Sequence, residues 1–334
     1  MVKSAAKGKA AARILLCAAF ALFAAFAAHS LLVRAPQTPA AHDGAARTQT
    51  VTVISPDAWP LEESAVQSAA RTRRPECYTI LLCGRDDAGG GSDTTMLMRF
   101  DAGNSRIDLV SLPRDTLLHH EWYSNKLNYA YACGGTALLR GEVENLLGVP
   151  VDYCVSIDLA GFVSLIDSIG GVDFDVPADM DYDDPAQALH IHFTKGRRHL
   201  DGQEAMAVVR WRKNNDGSGY PDADLGRIAT QQAFLRAVAA KAARLGSAPA
   251  LARAVFTYVK TDLTAGNVVW LAEQALRIGT EGVRFHTLPG DGGACWRGES
   301  VYALDPDATL MLVNEALNPY TQPVDAGETD ILTP

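Results

Sequence analysis

Residues 77–115 read CYTILLCGRDDAGGGSDTTMLMRFDAGNSRIDLVSLPRD. Tyr78–Cys83 is a short apolar run of the kind a buried strand carries. The glycine-rich stretch 84–91 follows as a turn. Thr94–Phe100 and Arg106–Leu112 then read as a second and third strand. Gly103-Asn104 between them is a strong turn signal, so these two strands are expected to form a hairpin.

Outward from this core, strands and helices alternate. The spacing predicts a helix over 134–147, with Leu138, Leu139, Val143, Leu146 and Leu147 on one face and Gly148 and Pro150 as its stop. Tyr153–Ile157 reads as a strand. Asp158 is placed to cap a helix whose apolar stripe is Leu159, Phe162, Val163, Ile166 and Ile169. Val172–Val176 and His190–Phe193 read as strands, 202–212 opens as a short helix, and a long helix runs over 225–245. Farther on, 268–277 and 305–317 read as helices and 283–288 as a strand. This order predicts the α/β class: a three-layer α/β/α domain around a central mixed sheet.

The N-terminus bears on the compartment. Residues 1–13 carry Lys3, Lys7, Lys9 and Arg13 and no acid, and the first carboxylate is Asp43. Ile14 to Val33 are apolar except for His29 and Ser30, and a helix of that length spans about 30 Å, the thickness of a bilayer core. The expected layout is a basic cytoplasmic tail over 1–13, one transmembrane helix over 14–33 and the remainder outside the cell membrane. A cleaved signal peptide is the rival, but the apolar run is long for one. Residues 34–76, with Pro36, Pro39, Pro56 and Pro60, read as a flexible extracytoplasmic linker. Residues 77–320 then form the folded domain and 321–334 a C-terminal tail.

The 334-residue chain carries a formal net charge of −9. Such a balance argues against a nucleic-acid binder, which needs clustered Lys and Arg, so any anion site has to be built locally. The six cysteines include no C-x-x-C pair, which argues against zinc-ribbon and thioredoxin-like sites.

Three groups of charge call for an explanation. Arg85, Asp86 and Asp93 flank the glycine-rich turn, where two carboxylates could share a hard cation such as Mg2+. Asp also favours such turns with no ligand present. Arg114 and Asp115 follow the third strand directly, at the carboxyl end where α/β sheets gather ligands. Arg210 and Arg212 alternate around Trp211 and point one way if extended, while Arg227 and Gln231 share a face at the start of the long helix, behind Asp224. Converging guanidinium groups near a helix N-terminus suit a pyrophosphate. Two other clusters are not expected to bind metal. Asp179, Asp181, Asp183 and Asp184 begin like an EF-hand loop but lack its glycine and distal glutamate, so they read as a solvated acidic loop. His190 and His192 are strand neighbours on one face, yet neither His199 nor any other residue offers itself in sequence as a matching third ligand.

Taken in order, the motifs resemble the LytR-CpsA-Psr family. The series runs Leu82-Cys83-Gly84-Arg85-Asp86, Ser92-Asp93-Thr94, Ser111-Leu112-Pro113-Arg114-Asp115 and Lys126-Leu127-Asn128. It continues through 143–152, Gly170-Gly171-Val172, His199–Ala205, Val209-Arg210-Trp211-Arg212 and Asp224-Leu225-Gly226-Arg227-Ile228 with Gln231-Gln232. The resemblance implies a pocket for a polyprenyl chain, with Mg2+ and a pyrophosphate at its mouth. It further implies transfer of a polyprenyl-pyrophosphate-linked glycopolymer, such as teichoic acid or capsule, to a peptidoglycan hydroxyl. Carried over by position, Asp86 and Asp93 would serve the metal, and Arg85, Arg114, Arg210, Arg212, Arg227 and Gln231 the pyrophosphate. Asp115 and Asp224 would support them, and Asp93 would help deprotonate the acceptor. Gly91 and Thr230 stand where the family usually carries arginines, with Arg85 a candidate to compensate for the first. A lipid-pyrophosphate phosphatase and a non-catalytic polymer-binding regulator are the alternatives. Trp296-Arg297, after Gly292-Gly293, is a further candidate for a loop near the site.

Overall fold

The computed structural model describes residues 33–39 and 71–334, apart from 86–90, 120–123, 186–188, 223, 246–252 and 254. Asp86 and residues 14–32 of the expected anchor lie outside the described residues. Among the described residues no helix is long and apolar enough to cross a membrane.

A six-stranded mixed sheet organises the domain. Its members are β1 (Cys77–Arg85), β2 (Ser92–Asp101), β3 (Arg106–Leu112), β4 (Tyr153–Asp158), β9 (Lys260–Thr261) and β10 (Val283–Thr287), in the order β10-β3-β2-β1-β4-β9. The expected hairpin is β2–β3, pairing Thr95 with Leu112 and Asp101 with Arg106. Asp101 closes its turn by accepting from the Asn104 backbone N–H at 3.0 Å and from its side-chain amide at 2.8 Å. The alternation of β1 sends side chains to two faces. Leu81 and Cys83 pack with Leu139, Val143 and Leu146 of α1 (Leu127–Leu147). Tyr78 and Ile80 pack with Val268 and Leu271 of α5 (Ala265–Ile278). Helices therefore cover both faces of the sheet.

Beside the sheet stands a second cluster. It is built from α2 (Leu159–Ser168), α3 (Gly202–Arg210), α4 (Asp224–Leu245) and two small ribbons, β5–β8 (Val172–Val176 with Gly196–Leu200) and β6–β7 (Met180–Asp184 with Leu189–Phe193). Asp158 caps α2 as expected, accepting from Gly161 N at 2.7 Å. A capping box between Asp201 and Glu204 starts α3.

Several expectations need correction. The acidic run at 180–184 is strand β6, with Asp181 facing His192 and Asp183 facing His190. It was unreadable as a strand because one of its faces is wholly charged. Helix α1 begins seven residues before Gly134 and is kinked at Gly134-Gly135. The final helix is α6 (Pro306–Leu312) followed by a π-helical turn over Val313–Leu317. Trp296-Arg297 reaches the turn of a hairpin, β11–β12 (Gly290–Trp296 with Glu299–Leu304), which the sequence did not reveal. Parts of the stretch read as a linker lie against the domain: Asn267 Nδ2 donates to Arg34 O at 3.0 Å, and Arg73 pairs with buried Asp152. Residues 321–334 also pack down, with Val324 in the core under α1.

Candidate active site

Strand directions create the site. Strands β1 and β4 are parallel, β1–β2 and β2–β3 are antiparallel, so the carboxyl ends of β1, β3 and β4 meet the start of β2 along one edge. That edge collects Arg85, Asp93, Arg114 and Asp158. Arg85 and Asp158 are register partners across β1 and β4, and their side chains pair at 2.5 Å. The Asp158 carboxyl is held below the usual carboxylate range, chiefly by the Gly161 N–H and then by Arg85.

Opposite this edge, α3 ends and α4 begins. Arg210 is the last residue of α3, and buried Trp211, in extended backbone, leads the chain out of the helix to Arg212. The segment is thus a helix end rather than extended throughout, yet both arginines reach one cavity. Arg227, in the first turns of α4, is 5% exposed. It donates to the Asp93 carbonyl at 3.3 Å and pairs with Asp224 at 2.7 Å. Burial pushes its pKa down, opposed by Asp224 and reinforced by neighbouring Arg212 and Arg114.

The cavity between the two halves has a volume of about 990 Å³. Arg85, Asp93, Arg114, Arg210, Arg212, Arg227 and Gln231 all line it, so seven of the sequence-predicted site residues converge there. Its walls are apolar, including Met96, Ile157, Phe162, Ile166, Val238 and Val255. Arg114 donates to the Asp93 carboxylate. The Nε–H groups of Arg114 and Arg227 are buried with no acceptor among the described residues, which an entering anion would supply. Asp115 and Asp224 stand behind the arginines. Asp115 lies 3.6 Å from Lys126 and 3.8 Å from Arg114, and Asp224 lies 3.7 Å from Arg212. Trp296 and Arg297 are not among the residues lining this cavity.

Comparison with known proteins follows the same pattern. A model of the LytR_cpsA_psr family matches residues 42–317. The chain belongs to the LytR-CpsA-Psr family. It is 31% identical over 261 residues to a polyisoprenyl-teichoic acid–peptidoglycan teichoic acid transferase, TagU of Bacillus mycoides (strain KBAB4), covering 76% of this chain and 82% of that one. It is 32% identical over 250 residues to TagV of Bacillus subtilis (strain 168), a transferase of the same description, covering 70% and 62%. The crystal structure of B. subtilis TagV superposes with a TM-score of 0.60 at 26% identity, over 70% of this chain and 92% of that one.

Gly91 and Thr230, where the resemblance leads one to expect arginines, are placed differently. Gly91 lines the cavity, next to Ser92, the register partner of Arg85. Thr230 points elsewhere: its hydroxyl lies 2.5 Å from the Tyr220 hydroxyl, and its Oγ1 donates to Gly226 O at 3.0 Å. Tyr220 packs edge-on against Trp211 at 4.7 Å and presses so close to α4 that a Cβ on Gly226 would sit 2.3 Å from its ring. Sequence reasoning missed Asp158 and Tyr220 as members of the site. The signal for Asp158 was a capping acid at the carboxyl end of a strand. Nothing in the sequence marked Tyr220.

Proposed function

We propose that this protein transfers a polyprenyl-pyrophosphate-linked glycopolymer, such as teichoic acid or capsule, to peptidoglycan on the outer side of the cell membrane. One observation carries this reading: five arginines line a cavity whose walls are otherwise largely apolar. An amphiphile with an anionic junction and a long apolar tail matches both parts, whereas a soluble phosphate would leave the apolar walls unused. The acidic chain bears the same relation to its ligand, since positive charge is concentrated where the junction would lie.

In this mechanism the acceptor hydroxyl attacks the phosphorus that carries the glycan. A new O–P bond forms, the bridging P–O bond breaks and a polyprenyl phosphate leaves. Asp93 takes the acceptor's proton. Arg114, by holding the Asp93 carboxylate, fixes its direction while its own Nε–H stays available to a phosphate oxygen. Arg227, Arg210 and Arg212 neutralise charge that shifts to the leaving phosphate, the main task in phosphoryl transfer. Arg85 compensates for glycine at position 91. The donor set at the cavity mouth suits a hard cation, because Asp93 brings carboxylate oxygens to it and Asp86 follows Arg85 in sequence. Mg2+ held by Asp86 and Asp93 would polarise the phosphoryl oxygens. An N-terminal helix over 14–33 would keep the domain beside a donor that is itself a membrane lipid, raising its effective concentration.

Product analysis tests the reading. The full-length protein in detergent is incubated with a polyprenyl-pyrophosphate oligosaccharide, peptidoglycan oligomers and Mg2+, and the products are resolved by mass spectrometry. A glycan–phosphate–peptidoglycan adduct that disappears with Arg114→Ala and with chelator is expected. Release of lipid phosphate without adduct means a phosphatase. Lipid binding with neither product means a binding regulator.

A further inference from the structure

We propose that the outer face of the β6–β7 ribbon binds a divalent transition-metal ion of the zinc class, with His190, His192 and Asp183 as ligands and Asp181 orienting His192. Nothing in this proposal depends on the transferase reading.

Register assembles the site. Asp181 and Asp183 are two apart on β6, His190 and His192 are two apart on β7, and the antiparallel pairing sets Asp181 opposite His192 and Asp183 opposite His190. Alternation then puts all four side chains on one face, and all four are exposed. The inner face of the same strands carries Met180, Tyr182, Leu189 and Ile191 into the protein, and the last three of these line the cavity.

The ligand atoms are already close to coordination distance from a common centre. One atom each from Asp183, His190 and His192 lies within 4.8 Å of the others. His192 Nε2 is 3.4 Å from Asp183 Oδ1, and His190 Nδ1 is 2.5 Å from that same oxygen. Ligands on a tetrahedral zinc ion, each at about 2.0–2.2 Å, are roughly 3.4 Å apart. The His192 pair meets that spacing, and the His190 pair reaches it by opening about 1 Å, a small motion for exposed side chains. Asp181 Oδ1 lies 2.7 Å from His192 Nδ1. A carboxylate accepting from Nδ1–H leaves the Nε2 lone pair facing Asp183, the orienting arrangement usual behind metal-bound histidines. Two imidazoles with a carboxylate select zinc, nickel or copper over Mg2+, which demands oxygen ligands. The ion at the ribbon and the ion proposed at Asp93 therefore differ in class.

The ribbon is firmly placed. The backbone N–H groups of Asp181 and Asp183 donate to Asn214 and Asn215, each at 2.7 Å, and the loop these two asparagines begin continues to Gly217, Gly219 and Tyr220 on the cavity wall. An ion on the outer face would clamp together the two strands that form part of that wall.

The test titrates ZnCl2 into metal-free full-length protein by calorimetry, beside His192→Ala, the His190→Ala/His192→Ala double variant and Asp93→Asn. Circular dichroism confirms that each variant is folded, and X-ray absorption at the zinc edge reports the ligands. One saturable site of micromolar affinity or tighter is expected, with imidazole and oxygen scattering. Loss of His192 should weaken it by more than the roughly 10–100-fold that an outer-shell partner is worth. The double variant should abolish the site, and Asp93→Asn should leave it intact. Absence of a saturable site in the wild type, its survival in the double variant, its loss in Asp93→Asn, or sulfur scattering at the zinc edge would each overturn the proposal.

Discussion

Arg114, on the loop after β3, donates to the carboxylate of Asp93 at the start of β2, 21 residues earlier in the chain. The two side chains are about one-third exposed at the cavity mouth, so this contact is weak as a source of stability and strong as a means of aiming both groups. Arg114→Lys is expected to lower the adduct-forming rate by about 10²–10³-fold, the cost of losing an aligned donor at a site of developing charge. An ammonium group cannot hold a carboxylate and a phosphate in one plane. Thermal unfolding should barely change. A lysine variant with wild-type turnover would show that charge alone suffices here.

Arg227 is buried in the site, and its partner Asp224 is partly buried, with its side chain 20% exposed. Among the described residues, Arg227→Met leaves Asp224 with Arg212, 3.7 Å away, as its ion-pair partner. Removing one partner of a fully buried pair costs about 3–5 kcal/mol, an upper bound here because Asp224 keeps some solvent, whereas replacing both by apolar residues is often far milder. The single variant should therefore unfold in denaturant well before the Arg227→Met/Asp224→Leu double variant, with both inactive. Equal loss in both would mean that the pair contributes net stability.

An arginine placed at 230 should bring no gain. Thr230 is 5% exposed and bonded to Tyr220, so an arginine there buries a charge with no partner or expels Tyr220 from its place against Trp211. Thr230→Arg is expected to lower the melting temperature and leave activity no higher than wild type. Gain of activity without loss of stability would indicate that the arginine finds its own way to the cavity.

The cysteines should divide by environment. Burial pushes the Cys77 and Cys83 thiols up to about 12 and Cys154 to about 11, while Cys133 and Cys295 are exposed. The reactive form is the thiolate. Iodoacetamide at pH 8 should label Cys133 and Cys295 in the native protein and reach Cys77, Cys83 and Cys154 only after denaturation. Peptide mapping checks this, and native labelling of Cys83 would contradict its packing against α1.

Asp158 should contribute acid-sensitive stability. Its carboxyl sits below its ordinary value of 3.8 in the fold, so its stabilisation is complete above that value and vanishes as pH falls through the depressed one. Asn still caps a helix but carries no charge. The melting temperature of Asp158→Asn should trail wild type at pH 6 and converge with it toward pH 3. A gap independent of pH would assign the effect to capping alone.

The sequence by itself determined the periodic parts: the β2–β3 hairpin around Gly103-Asn104, the helix capped by Asp158, the long α4, and the ordered motif series that carries the family. It also marked Asp93, Arg114, Arg210, Arg212 and Arg227, because charge beside strand ends and helix starts is a local signal. Strands with one charged face, such as β6, were not legible, since alternation needs apolar residues on at least one regular face to be seen. Nor was the role of Thr230, whose partner Tyr220 lies ten residues away around a turn.

Only the tertiary structure decided what meets what. The parallel pairing of β1 with β4 set Arg85 against Asp158, and the antiparallel register of β6 with β7 set Asp183 beside His190 and His192. Local sequence fixes which way a side chain points along its own strand. Its neighbours across the sheet depend on strand order and register, which are set by burying the whole core at once and are written in no single segment.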